Sequence, residues 1–244
     1  MAESSLKQKT AKGLFWGGIN SGAQQVLAVA FGIYLARTLN ADDYGLVGLL
    51  AIFTGIASTI INSGFSVALT NKQDAKHEDY NAVFWFSFFS GIILYFALFF
   101  SAPLIAAYFE RPELINLSRV LFTTFFIGGL GIVPYTLMFK NLMTKHQAII
   151  EIISISVSLL TGVFLAAKGF SYWALAVQSL VQVFLATALR FIVLPWRPTL
   201  TFRFSPLKSM FPFSIKILFT GIFMQISANI FSVLLGKIYN ATQV

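Results

Sequence analysis

Three charged side chains fall where charge is expensive, inside or at the mouth of long apolar runs: Glu151, Arg190 and Lys216. Eight of the nine acidic residues lie in the N-terminal tail or between runs, which leaves Glu151 alone within one. It comes four residues after the start of the run 147–167, Arg190 comes four before the end of the run 172–194, and Lys216 opens the run 215–238. At about 1.5 Å per helical residue, the first two lie roughly 6 Å inside the same side of the membrane, one at the start of its helix and the other at the end of its own. Two kinds of chemistry follow from that depth. Either the long side chains reach back to a water interface and stay solvated, or they form a vestibule in which Arg190, Lys216 and Lys140 receive an anion. In the second case Glu151 holds Arg190 or exchanges a proton.

Amides recur in the same runs at helical spacing: Asn20, Gln24 and Gln25 in the first, Asn62 in the second, Gln178 and Gln182 in the sixth, Gln225 and Asn229 in the seventh. They are interleaved with small residues, as in Gly17, Ser21, Gln24, Ala28 and Gly55, Thr59, Asn62, Ser66. Small residues let helices approach and amides bond across the contact, so packing explains such stripes. A shared polar cavity explains them too, and their recurrence in four runs favours it. The fourth run contains Gly128, Gly129, Gly131 and Pro134, where proline frees a carbonyl one turn back and the glycines weaken resistance to bending. That pattern is expected either to serve close packing or to make a hinge.

The elements that must position these residues follow from composition. Charged residues make up 11% of the 244 and hydrophobic ones 57%, with mean hydropathy +0.78; a soluble domain carries about 25% charged residues, so the surface of this chain faces lipid. Spans are expected at 13–36, 45–69, 82–107, 117–139, 147–167, 172–194 and 215–238, each long enough for a hydrocarbon core of roughly 30 Å. Their backbones must be satisfied internally, which makes them helices and the fold all-α and polytopic. The run 13–36 is too long for the h-region of a signal peptide and reads as a retained first span.

Between the sixth and seventh spans lies PWRPTLTFRFSPLKSMFPFS (195–214), whose prolines and cations exclude it from lipid. It divides the chain into a six-helix unit at 1–194, a loop at 195–214, and a seventh helix at 215–244 that opens a second unit. Counting Lys and Arg on alternate sides gives twelve with the N-terminus and this loop against five opposite. The N-terminus is therefore expected in the cytoplasm.

The net charge of +8 is scattered over several loops with no aromatic-studded stripe, which argues against nucleic acid. With no cysteine there is no disulfide or thiolate site, and His77 and His146 lack partners at metal-ligand spacing, so no metal and no cofactor is expected. Asp42 and Asp43 read as helix N-terminal caps, not as a catalytic acid pair.

Several stretches together resemble the oligosaccharide flippases of the polysaccharide exporter family, the Wzx-type relatives of the MATE multidrug exporters. They are LARTLNADDYG (35–45), GFSVALTNKQ (64–73), APLIAAYFERPELI (102–115), GFSYWALAVQ (169–178) and PWRPTLTF (195–202). The resemblance implies a MATE-like six-helix lobe followed by a second lobe, in a bacterial inner membrane, with no enzymatic step. It implies a polyprenyl-diphosphate oligosaccharide as cargo, possible coupling to H⁺ or Na⁺, and polysaccharide polymerase or export machinery as partners. A cation-coupled drug exporter is the nearest alternative and would want acids deep in the lobe. A membrane glycosyltransferase would need an acidic base on a sizeable exterior loop, and a scaffold would lack the polar stripes.

Overall fold

The computed structural model describes residues 2–62, 64–201 and 203–238, with side chains described from residue 11 to 228, except at 63 and 202, and at 230. Asn229 and the segment 239–244 therefore lie outside the described side chains, as do Lys7 and Lys9. The described residues form helices α1 (Ala2–Thr38), α2 (Ala41–Leu49), α3 (Ala51–Asn62), α4 (Phe65–Asn71), α5 (His77–Phe109), α6 (Leu114–Lys140), α7 (Thr144–Ala167), α8 (Trp173–Val193) and α9 (Ser205–Ile238), with no strand among them. Among the described residues seven segments are long and apolar enough to cross a membrane, as the runs require. Lipid accounts for their surfaces: Leu14, Phe100, Leu104, Ile192 and Phe223 are all more than 70% exposed.

Two boundaries differ from the sequence reading. The second run is not one helix but three, broken after α2 at Leu50 and again between α3 and α4. Gly64 takes a left-handed backbone at φ +58, and a Cβ there would stand 2.5 Å from the Ser214 carbonyl oxygen. Only glycine permits both the turn and the crossing of α9 at that point. The seventh helix, in turn, starts ten residues earlier than hydropathy suggests, at Ser205. Pro206 sits in its first turn, where no backbone donor is missed, and Pro212 costs one bond to a carbonyl near the helix start. The polar stretch is thus an extended segment of about ten residues followed by three turns of helix.

That extended segment is fastened to α5. The buried Asn81 amide bonds it at both ends: Thr199 N–H donates to Asn81 Oδ1 at 2.8 Å, and Asn81 Nδ2 donates to the Thr201 carbonyl. Trp85 Nε1 donates to the Thr199 carbonyl at 2.7 Å, and Arg203 pairs with Glu78 at 2.9 Å. Trp196 meets Phe84 edge-on, and Leu207 and Met210 enter a cluster with Phe65, Tyr80 and Val83. Asn81→Ala should leave buried backbone groups unpaired, at about 1–3 kcal/mol. The expected readout is faster tryptic cutting after Arg203; unchanged cutting would show that the strap does not depend on the amide.

In lipid, apolar burial gives helices little net attraction, so contact distance decides which pairs hold. α5 packs on α6, α7 on α8 and on α1, α6 on α8, and α3 on α9. At the α5–α6 contact a Cβ on Gly91 would meet the Phe125 carbonyl oxygen at 2.8 Å, and one on Gly129 would meet that of Ser87 at 2.7 Å. The α6 glycines thus bring helices together, and α6 runs unbroken through Pro134 to Lys140.

Candidate functional site: a polar groove on α3, α4, α6 and α8

Ser58, Asn62, Ser66 and Thr70 recur every four residues along α3 and α4 and line one side of a groove. The opposite side is α6, from Thr124 through Gly128, Gly131 and Tyr135 to Phe139, with Val183 and Arg190 contributed by α8. Its three connected openings measure about 330, 240 and 170 Å³. Thr124 to Phe139 spans roughly 22 Å of helix, about two-thirds of a hydrocarbon core. Within the groove the Asn62 amide nitrogen and the hydroxyls of Ser66 and Thr70 bond carbonyls four residues back along α3 and α4. Asn62 Nδ2 donates to the Ser58 carbonyl at 2.8 Å, Ser66 Oγ to that of Asn62 at 3.2 Å, and Thr70 Oγ1 to that of Ser66 at 2.8 Å. Such bonds satisfy the donors while leaving lone pairs facing the groove.

Arg190 is the one charged residue among those described as lining these three openings. Its guanidinium pairs with Glu151 of α7, and the two side chains are only 13% and 19% exposed. The guanidinium carbon stands 5.1 Å from the centre of the Tyr135 ring, a cation–π distance. Its Nε is buried with no hydrogen-bond partner. Gly131 makes room for this arrangement, since a Cβ there would come within 3.4 Å of Arg190 Nη1 and 2.7 Å of Thr187 Oγ1. Glu151 and Arg190 are brought together, and with them Gly128, Gly131 and Asn62.

The other sequence candidates are placed elsewhere. Lys140 donates to the carbonyls of Leu69, at 3.3 Å, and Lys72, closing the end of α4. Lys216 is exposed on α9, which packs on α2 to α5 and not on the helices of the pair. Asn20 and Gln24 bond each other at 2.9 Å on α1, and Gln25 is exposed beside them. Gln178 packs on Gly162 between α7 and α8, Gln182 is half-buried one turn on, and Gln225 packs on Gly55 between α3 and α9. Gly129 faces α5, and Pro134 is buried within α6. Sequence reasoning missed Tyr135, Thr124 and Thr70; the repeat of Ser58, Asn62, Ser66 and Thr70 was the available signal for the last.

At the opposite end, the two adjacent aspartates tie three loops. Asp42 accepts a two-pronged pair from Arg111 at 2.8 and 2.6 Å. Buried Asp43 accepts from Ser171 Oγ and, at 3.1 Å, from the Tyr172 N–H, while its other oxygen accepts from the Asn40 N–H at 3.0 Å. The contact with Asn40 is the capping role expected; the ties to distant loops are additional. Arg111 holds the Asp42 carboxyl below its ordinary value of 3.8. The tie therefore stabilises fully above that value and is lost as pH falls through the lower folded value. Asp42→Asn should lower the melting temperature at neutral pH, with the difference vanishing in strong acid; a constant difference across pH would remove the ionic role.

The architecture defines a multi-pass α-helical membrane protein with a polar groove carrying one paired cation. The chain belongs to the polysaccharide biosynthesis protein family, whose model matches residues 34–244. It is 25% identical to the teichuronic acid biosynthesis protein TuaB of Bacillus subtilis over 97% of this chain and 50% of that one. Against the lipopolysaccharide biosynthesis protein WzxC of Escherichia coli, identity is 22% over 97% of this chain and 49% of that one. The succinoglycan biosynthesis transport protein ExoT of Rhizobium meliloti is 25% identical over 74% of this chain and 36% of its own length. The chain thus spans about half the length, or less, of the curated relatives it matches. No solved structure matches it.

Proposed function

We propose that this chain is the first part of a transporter that moves a lipid-linked oligosaccharide between leaflets of a bacterial inner membrane, with the N-terminus in the cytoplasm. The observation that carries the reading is the groove: a polar track some two-thirds of the membrane deep, with a single cation beside it. A polyprenyl tail is content in lipid, whereas sugar hydroxyls and a diphosphate are not, at several kcal/mol for each unpaired group. Lone pairs on Ser58, Asn62, Ser66 and Thr70 suit hydroxyls. Arg190, with donors beyond the one on Glu151, suits a phosphate oxygen. A cationic drug would meet a cation here, which disfavours the exporter alternative. The relatives' names, in lipopolysaccharide and teichuronic acid biosynthesis and succinoglycan transport, support the same cargo class.

In this reading residues 1–194 form a MATE-like lobe, 195–214 the inter-lobe connection, and 215–244 the start of a second lobe that closes the groove. Alternating access then exposes the groove to one side at a time, and no bond in the cargo is made or broken. The test is the leaflet distribution of polyprenyl-linked oligosaccharide after deletion of the gene. Accumulation on the cytoplasmic side, reversed by the wild-type protein, is expected. A normal distribution in the deletion strain would end the reading.

A further inference from the structure

A separate cavity of about 350 Å³, sharing no lining residue with the groove, lies where the start of the first span meets the turn between α6 and α7. Its polar lining is cationic or neutral: Lys12 and Lys145, with Asn141, Thr144 and His146. Among the described residues no carboxylate lines it and neither lysine is in an ion pair. Lys145 Nζ lies 5.6 Å from the centre of the Trp16 ring, and a Cβ on Gly13 would meet Thr144 at van der Waals distance, so the two helices pass close to each other at the cavity wall. The positive end of the α7 dipole lies at the same place.

The level of the cavity matters as much as its charge. Lys12 and Thr144 stand at the first residues of two membrane spans, at the boundary between headgroups and hydrocarbon. Trp16 sits there as interfacial tryptophans do. Leu14, Phe15 and Leu142 around it are each at least half exposed and need acyl chains to cover them. We propose that this cavity binds the phosphate of an anionic membrane lipid, with Lys12 and Lys145 as its cations and the acyl chains running beside Trp16 and α1. A soluble anion would satisfy the lysines and leave the apolar rim bare. The site is independent of the cargo groove, and it places a structural lipid against α1, a helix that otherwise packs chiefly on α7.

Native mass spectrometry of the full chain in detergent tests this, with phosphatidylglycerol, phosphatidylcholine and inorganic phosphate as probes. Phosphatidylglycerol is expected to be retained over phosphatidylcholine, with each lysine contributing roughly fivefold. The variant K12Q/K145Q should lose that preference, K12R/K145R should keep it, and K168Q at the other end of the molecule should not change it. The exposed single substitution K145Q gives the smaller loss should the double variant fail to fold. Equal retention of the two lipids, or an undiminished preference in K145Q, would overturn the proposal. Displacement of phosphatidylglycerol by millimolar inorganic phosphate would transfer the site to a soluble anion and overturn the lipid assignment.

Discussion

Arg190→Ala is expected to abolish leaflet transfer and to cost about 3–5 kcal/mol of stability, because it strands the Glu151 carboxylate in a site where that side chain is 19% exposed. The two effects are separable. Removing both charges together, as Glu151→Gln with Arg190→Gln, leaves no stranded ion, and such replacements of a whole buried pair are often near neutral. The double variant should therefore melt close to the wild type in detergent and still fail to reverse cytoplasmic accumulation of the lipid-linked oligosaccharide. Arg190→Lys is the sharper probe. It keeps the charge but loses the planar fork and the stacking on Tyr135, so stability should largely survive while transfer falls. Full transfer by the double variant would reduce the pair to a structural tie.

Gly129→Leu should be the most damaging glycine substitution in α6. A Cβ at this position stands 2.7 Å from the Ser87 carbonyl oxygen, and backbone cannot swing aside as a side-chain tip does. Gly91 makes the reciprocal approach one turn away, 2.8 Å from the Phe125 carbonyl oxygen, so the two helices share a short zone of backbone contact. Alanine gains about 1 kcal/mol in helix propensity and loses about 1–3 to overpacking, a small net loss. Leucine gains nearly as much propensity but must place three further carbons against the backbone of α5, and should cost about 3 kcal/mol or more. Gly128 is the control: nothing lies nearer than 3.9 Å to its Cβ position, so Gly128→Ala should be neutral or slightly stabilising. Equal melting temperatures for Gly128→Ala and Gly129→Leu would show that the α5–α6 contact yields freely.

The membrane spans were legible in the sequence because hydropathy reports the solvent, and the solvent is uniform along a lipid-facing helix. What hydropathy does not report is where a backbone turns. The break at Gly64 depends on α9 arriving from 150 residues away, and the early start of α9 depends on prolines placed where a first turn tolerates them. The Glu151–Arg190 pair could be read because equal depth on adjacent helices is a matter of counting. Helix rotation is not: Gly55 and Thr59 face α9, while Ser58, Asn62 and Ser66 face the groove. The stripe Gly55, Thr59, Asn62, Ser66 crosses from one face to the other, and the surroundings of the amides of α1 and α8 likewise depend on helix rotation, which spacing alone does not carry.

The fastening of Thr199 and Thr201 to Asn81 bears on how the polypeptide is assembled during translation. Once α5 is in the bilayer, the emerging connection can be caught on it, and α9 then enters alongside α3. A stable intermediate of biogenesis would then hold α9 already seated beside α3, not the preceding spans alone.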